Sequence, residues 1–268
     1  MIAFDKMKLI DLSVVVDESL PSSWPTHMPF VSKVWNYYEP LDELQGRIRS
    51  DAPYQTRFWI IDEHCGTHFD APPHFIPPVR ADLPLSAKVG EETSDSVPLQ
   101  DMMGRAVCVD ATALNEVPVA EGESPWITAD FLLDWERAHR KIEAGEIVLL
   151  RTGWDKWYTS GPDGDAYAKN PLILKKGRGW PAPDTGFVQL LIERNVKCLG
   201  IDAPSVGAAH DGAPVHQLGL KHQLRYIELL TGLHHLPTTD FYFMFLPLKV
   251  KGGTGSPGRA VAWVPNDK

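Results

Sequence analysis

The sequence has few cysteines and no cysteine pair. Its three cysteines, Cys65, Cys108 and Cys198, are widely spaced and form no CxxC motif. Neither a disulfide framework nor a cysteine-ligated zinc site is therefore indicated. Cys108 and Cys198 lie in apolar runs, and we expect them to fill buried strands.

The chain also lacks a long apolar run and an excess of basic residues. No window approaches the ~18 apolar residues of a membrane span, and the first residues show none of the features of a secretory signal. We therefore expect a cytoplasmic protein with no membrane partner. The formal charge of −9 argues against a nucleic-acid partner, because phosphate binding usually needs a basic surface. The densest basic run, residues 175–178, is interpreted as a solvated loop.

What is present is the composition of an ordinary globular protein. Hydrophobic residues make up 43% of the sequence and charged residues 23%, and no low-complexity tract or internal repeat interrupts it. The 268 residues are enough for a substantial core, so we expect one domain over residues 1–268.

Helix-like and strand-like patterns alternate along the chain, which favours an α/β fold. Helices are predicted over residues 126–142, with Thr128 as N-cap, and from Asp184 through Glu193. Strands are predicted over 146–152, 196–202, 241–250 and 259–265. The glycine-rich residues 252–258 are predicted to form the turn of a closing hairpin.

Residues 64–75, HCGTHFDAPPHF, concentrate three histidines and one aspartate in twelve positions. A glycine and two prolines disfavour a helix there, so an extended, kinked chain is predicted. His64, His68, Asp70 and His74 share even parity, which places their side chains on one face of an extended strand.

The spacing of these side chains is typical of a chelating turn. At ~3.3 Å per residue His68 and Asp70 would stand ~7 Å apart, whereas His64 and His68 would stand ~13 Å apart. Gly66 lies between the two histidines and can supply a bend that brings His64 back. Two imidazoles and a carboxylate suit zinc or another first-row divalent ion and leave positions open for water, which indicates catalysis rather than a structural role.

Further ligands are sought downstream, where half of the ten histidines fall within 26 positions. His216 and Glu228 are the pair of interest. One helix through both would separate them by ~18 Å, so the helix must break if both bind the same metal centre. Gly219 and the β-leaning residues 224–227 make a break plausible, but spacing alone leaves the role of the pair open. His27 carries no local signal.

The segment HCGTHFDAPPHF resembles the HxGTHxDxPxHF signature of the cyclase-like metal-dependent hydrolases, a family that includes bacterial kynurenine formamidase, isatin hydrolase and a trans-dienelactone hydrolase. Three other segments, IDLSVVVDESLPSSWP, LLRTGWDKWY and GIDAPSV, and the closing GSPGRAVA look like the same family. The resemblance implies a mixed sheet or barrel-like β core flanked by helices, of the swivelling β/β/α type. It also implies a homodimer or homotetramer.

By this resemblance, His64, His68 and Asp70 match the ligands of a first metal ion. Asp70 would bridge to a second ion in dinuclear members, and His216 and Glu228 match the residues that complete that site. Zn²⁺ is the expected metal and Mn²⁺ the alternative, with one or two ions bound.

The resemblance also assigns roles around the metal. His74 matches the general acid/base, and Trp24 matches an aromatic residue that lines the substrate pocket. The chain is longer than the usual formamidase of the family, around residues 33–57 and 159–183, and loops of this kind generally set pocket shape.

The predicted function is a metal-dependent hydrolase that opens an amide, cyclic amide or lactone bond of a small, possibly aromatic, substrate. An arylformamidase acting on N-formylkynurenine is an alternative within the same chemistry. From other classes, a non-haem iron oxygenase also uses two histidines and a carboxylate. A protein that binds metal or a small molecule without catalysis is the third alternative.

Overall fold

The computed structural model of the chain describes residues 6–38 and 53–266. The strands in these residues are β1 (Met7–Asp11), β2 (Val31–Asn36), β3 (Thr56–Ile60), β4 (His68–Asp70), β5 (Met103–Asp110), β6 (Trp126–Ile127), β7 (Ile147–Arg151), β8 (Ala182–Pro183), β9 (Cys198–Ile201), β10 (Arg225–Glu228), β11 (Phe241–Pro247) and β12 (Gly255–Pro265). The α-helices are α1 (Ala129–Ala138), α2 (Thr185–Glu193) and α3 (Ala213–Lys221).

Shorter helical turns connect these elements. They are 3₁₀-helices at Pro72–His74, Val79–Ala81, Lys88–Glu91, Leu99–Met102, Thr112–Glu116, Trp154–Trp157, Pro162–Ala166 and Leu233–His235, and a π-helical turn at Asn170–Leu174. None of the helices in the described ranges has both the length and the apolar character needed to cross a membrane.

Seven strands close into a mixed barrel. Their order is β12-β11-β5-β7-β9-β10-β4, and β4 pairs back with β12. The four strands β5, β7, β9 and β10 run parallel to one another, and the remaining pairs are antiparallel. Strand β1 adds to the outside of β12. This architecture confirms the prediction of an α/β fold with a barrel-like β core.

The parallel strands are apolar on both faces because each face is covered. In β7, Leu149 belongs to the core inside the barrel, together with Phe243 and Phe245. Its neighbours Val148 and Leu150 belong to the core beneath the helices. Strands β5 and β9 bury Cys108 and Cys198, as predicted.

The first predicted helix is shorter than its apolar pattern suggested. Thr128 is its N-cap, as predicted, and accepts the N–H of Phe131. Residues 126–127 instead form β6, which pairs with β8, and His139 leaves the helical region at φ −123° and ψ −81°. The second helix agrees closely, since Asp184 caps α2 through the N–H of Phe187.

The closing hairpin is present, but its turn is shorter than predicted. Strands β11 and β12 pair antiparallel, and β12 begins at Gly255, inside the predicted turn. Gly255, Ser256 and Pro257 pair with β4 and so close the barrel. Gly255 therefore belongs to a strand that passes close to another backbone. The prediction of a turn over 252–258 is wrong for residues 255–258.

Candidate active site

Strand β4 places His68 and Asp70 on one face, and the turn before it folds His64 back toward them. His64 Nδ1 lies 3.0 Å from Asp70 Oδ1. The bend occurs at Gly66, whose φ is +64°, and a Cβ there would lie 2.5 Å from Val16 Cγ2. Glycine is thus required by both conformation and space. The predicted bend is confirmed, but the strand covers only His68–Asp70 and not the whole segment.

Two histidines have their tautomer fixed by backbone carbonyl groups. His68 Nδ1 lies 2.8 Å from the carbonyl oxygen of Gly66, and His216 Nδ1 lies 2.7 Å from that of Gly212. Because a carbonyl oxygen only accepts, each Nδ1 carries the proton and donates it. In the neutral rings both Nε2 atoms therefore keep a free lone pair, which is the arrangement of metal-binding histidines.

These lone pairs converge on two carboxylates. His68 Nε2 lies 3.6 Å from Asp70 Oδ1 and 3.6 Å from Glu228 Oε2. His216 Nε2 lies 3.2 Å from Glu228 Oε1 and 3.5 Å from Asp70 Oδ2. Acceptor atoms this close repel one another unless a positive charge lies among them.

The fold brings Glu228 here through the end of β10. Glu228 stands opposite His68 in the pairing of β10 with β4. The chain leaves α3 after Lys221 and reverses through Gln223, whose φ is 62°, before β10 begins. The break that joint binding by His216 and Glu228 would require is present. Without it the two side chains would lie too far apart.

Both carboxylates are buried without a fixed cation. Asp70 is fully buried, and its Oδ2 has no hydrogen-bond partner in the described part of the chain. Glu228 is 5% exposed and accepts hydrogen bonds from Ser205 Oγ and the N–H of Val206. In the described ranges no lysine or arginine nitrogen lies within 4.0 Å of either group. A divalent cation fits this donor set, since buried carboxylates need compensation.

His74 lies at the end of the 3₁₀-helix that follows β4, and its ring stacks on that of His64 at 3.9 Å between centroids. Burial lowers the pKa of His74 to about 3, with the neighbouring histidines adding to the effect and Asp70 opposing it. The ring is therefore neutral at neutral pH. Burial would raise the pKa of Asp70, but the surrounding histidines hold it well below its usual range.

Two overlapping groups of ligand atoms result. Those of His64, Asp70 and His74 lie within 4.8 Å of one another, and so do those of His68, Asp70 and Glu228. Asp70 is common to both groups. The arrangement can hold one or two divalent ions at the base of a cavity.

The cavity above these groups has a volume of about 320 Å³. Trp24 and Phe75 line it, and Trp24 packs edge-on against the buried Trp180. Tyr167, Ala168 and Leu172 also contribute, so part of the extra segment 159–183 shapes the cavity, as expected. Part of the other extra segment, 39–52, lies outside the described residues.

Two cavity residues were not singled out from the sequence. His27 Nδ1 lies 3.2 Å from Asp62 Oδ1, and its ring lies 6.1 Å from that of His64. His210 lines the cavity from the loop before α3. Both reach the cavity through long-range folding, and no local pattern marks either of them.

Comparison with known proteins agrees with this picture. The Cyclase family model matches residues 10–208. The isatin hydrolase of Roseibium aggregatum is 30% identical over 222 residues, which cover 81% of this chain and 78% of that protein. The kynurenine formamidase of Polaromonas naphthalenivorans is 28% identical over 247 residues, which cover 85% and 90%.

A solved structure extends the agreement to three dimensions. Isatin hydrolase A from Labrenzia aggregata, bound to benzyl benzoate, superposes with a TM-score of 0.76 at 27% identity and covers 98% of this chain and 96% of that one. The family model spans most of the chain, and the barrel places the signature residues around one cavity. The chain therefore belongs to the cyclase family of metal-dependent hydrolases.

Proposed function

We propose that His64, His68, Asp70, His216 and Glu228 bind the divalent metal of this hydrolase. The observation that supports this most directly is the fully buried Asp70 carboxylate, whose Oδ2 has no partner among the described residues and faces the free lone pair of His216. Zn²⁺ is the expected ion and Mn²⁺ the alternative, because imidazole and carboxylate ligands suit both.

The two overlapping ligand groups support two ions with Asp70 shared between them. His64 belongs to one group, and His68 and Glu228 belong to the other. His216 approaches both carboxylates. A single ion held by a subset of these side chains is the alternative, and the metal content per chain decides between the two.

Such a cation lowers the pKa of water and polarises a carbonyl group. His74 is proposed to take the proton from the attacking water at a ring nitrogen and to return it to the leaving nitrogen or oxygen. Its place beside His64, with a ring nitrogen within 4.8 Å of a carboxylate oxygen of Asp70, supports this role. Trp24 lines the cavity and is proposed to orient the substrate through its ring.

The substrate is proposed to be a small aromatic cyclic amide. The cavity volume of about 320 Å³ suits a compound of one or two rings, and Trp24 and Phe75 offer aromatic contacts. Two of the compared proteins are isatin hydrolases, one of them bound to the aromatic ester benzyl benzoate. Hydrolysis of an aryl formamide is the second candidate, because the formamidase of Polaromonas naphthalenivorans aligns with most of the chain.

The experiment combines metal analysis with hydrolysis. The protein is purified, stripped with a chelator and reloaded with Zn²⁺ or Mn²⁺. Metal per chain is measured by elemental analysis. Hydrolysis of isatin and of formanilide is followed by absorbance in the absence of oxygen. We expect metal-dependent opening of isatin to exceed that of formanilide. Equal activity of the stripped protein would contradict the metal role, and preference for formanilide would favour the formamidase.

A homodimer or homotetramer is proposed as well. Strands β2 and β3 form a separate two-stranded sheet that exposes Trp35, Phe58 and Trp59. Exposed aromatic patches of this kind commonly mark protein interfaces. Light scattering should give a multiple of the 29.9 kDa chain mass, and Trp59→Asp should reduce it. A monomer at all concentrations would contradict the proposal. The cytoplasmic location stays a prediction.

A further inference from the structure

His210 lies on the loop between β9 and α3 and lines the substrate cavity. The residues beside it in the cavity wall are small, namely Ala208, Ala209, Gly212 and Ala213. They leave room for a ligand next to the imidazole. His210 is outside the groups of ligand atoms around Asp70.

A backbone hydrogen bond fixes which ring nitrogen of His210 carries the proton. The N–H of Ser124 donates to His210 Nδ1 at 3.2 Å. Because Nδ1 accepts this bond, the single proton of the neutral ring lies on Nε2. The ring of His210, which is exposed and also borders a neighbouring groove beside Trp126, therefore carries its N–H donor on Nε2.

The ring is also held in place by its surroundings. The N–H of Ala209 donates to Ser124 Oγ at 3.0 Å, so Ser124 fixes two consecutive residues of the loop. Trp126 packs against the imidazole at 5.0 Å between ring centroids. The close approach of this loop requires a glycine at position 179, where a Cβ would lie 2.5 Å from Ser124 Oγ. A donor positioned in this way binds an acceptor at little entropic cost.

Several other polar groups of the cavity are already engaged, although the buried Tyr167 Oη has no hydrogen-bond partner among the described residues. His27 pairs with Asp62, and Ser205 donates to Glu228. His68 and His216 direct their Nε2 atoms at carboxylates. For His210 Nε2, by contrast, the described part of the chain provides no acceptor.

We propose that His210 Nε2–H binds a second oxygen of the substrate, a ketone or similar acceptor next to the bond that is hydrolysed. His210 is then a specificity-determining residue, and the substrates are amides that bear such an oxygen. This inference rests on the proposed hydrolysis of small aromatic amides. It adds a requirement that the metal centre and His74 do not impose.

Three variants separate the hydrogen bond from the ring. His210→Phe keeps an aromatic ring against Trp126 but has no donor. His210→Asn keeps a group that can accept from Ser124 and donate to the cavity. His139→Phe is the control, because His139 also stacks on a tryptophan, Trp135, but lies outside the cavity.

The substrates are formanilide and 2-acetylformanilide, which differ by one ketone. Metal-loaded wild type should have a higher kcat/KM for the ketone than for formanilide. In His210→Phe the ratio of the two values should fall about 3- to 10-fold, the usual effect of one neutral hydrogen bond. His210→Asn should retain most of the ratio, and His139→Phe all of it. An unchanged ratio in His210→Phe would overturn the inference.

A second measurement is independent of turnover. The ¹⁵N shifts of the His210 ring, assigned by comparison with His210→Asn, should show a neutral ring protonated on Nε2. The inert ketone acetophenone should shift that Nε2–H signal on binding. A proton on Nδ1, or no shift with saturating acetophenone, would refute the role of His210. Failure of metal-loaded wild type to hydrolyse isatin as well as both formanilides would instead contradict the proposed function.

Discussion

Strand β10 carries a buried charge at each end, and the chain treats the two ends differently. At its start the Arg225 side chain is 1% exposed and lies 3.0 Å from Glu92 and 3.1 Å from Asp101. At its end Glu228 meets Asp70 and two imidazoles. The first site contains its own opposite charges. The second contains two negative groups with no lysine or arginine nitrogen within 4.0 Å among the described residues, and this difference makes it the end that suits a bound cation.

The largest effect is expected from Asp70→Asn, at the end of β10 that carries Glu228. Loss of the shared carboxylate should remove most of the bound metal and lower hydrolysis roughly 10³-fold, because metal-assisted stabilisation amounts to several kcal/mol. In the stripped state the variant should be less stable than wild type at neutral pH, since the histidines that hold the pKa of Asp70 below its usual range lose their carboxylate partner. Metal analysis, kinetics and urea unfolding measure the three effects.

The control for Asp70→Asn is Asp82→Asn. Asp82 lies at φ 50°, a conformation that asparagine tolerates, and belongs to neither group of ligand atoms found in the described residues. Asp82→Asn should leave metal content, the rate of hydrolysis and the free energy of unfolding unchanged. Full metal occupancy in Asp70→Asn would remove Asp70 from the ligand set.

The Arg225 end of β10 should lose stability without losing metal. Arg225→Met keeps the side-chain volume but leaves Glu92 and Asp101 without their cation. Urea unfolding of the metal-loaded protein should show a loss of about 3–5 kcal/mol, as for a broken buried ion pair. Metal per folded chain should stay at the wild-type value. If Arg225→Met lost metal as well as stability, the two ends of β10 would be coupled, and the contrast drawn between them would be wrong.

His74→Ala tests whether all the histidines around Asp70 and Glu228 are metal ligands. If His74 carries protons, the variant should keep its metal while turnover falls roughly 10²-fold, the usual contribution of a general acid/base. The ligand atoms of His64, Asp70 and His74 lie within 4.8 Å of one another, so a ligand role is the rival explanation. Loss of metal in proportion to activity would support that rival.

The sequence predicted those parts of the site that depend on neighbouring residues. His68 and Asp70 are two positions apart, so a strand alone puts them on one face. Gly66 marked the bend that returns His64. His216 and Glu228 could not be placed from spacing, because their meeting depends on the pairing of β10 with β4, where Glu228 faces His68.

Other features required the folded chain. His27 and His210 enter the cavity from segments far from the signature, and nothing local distinguishes them. Gly255 was taken for part of a turn, yet a Cβ there would lie 2.5 Å from His64 Cε1. A glycine within a strand can mark such a close approach, but the partner is not visible from the sequence. Barrel closure was therefore predicted only in outline.

The smallest effect concerns another internally paired charge, Glu146, just before β7. Its side chain is 3% exposed and accepts two hydrogen bonds from Arg140, at 2.7 and 2.8 Å, and one from the N–H of Glu143. Burial raises the pKa of Glu146, but these bonds outweigh it and leave the pKa below the ordinary 4.5. The stabilisation is then fully present above pH 4.5 and is lost as the pH falls through the lower folded-state pKa.

Glu146→Gln should therefore reduce the free energy of unfolding by about 1–3 kcal/mol at neutral pH, as for hydrogen bonds to a charged group. The difference from wild type should shrink below pH 4.5, and urea titrations from pH 3 to pH 8 measure it. Glu143→Gln is the matched control, because that side chain is 57% exposed in its pair with Arg105 and should change stability by less than about 0.5 kcal/mol. If the loss of stability in Glu146→Gln grew toward low pH instead, the pairing of Glu146 with Arg140 would not stabilise the folded protein at neutral pH.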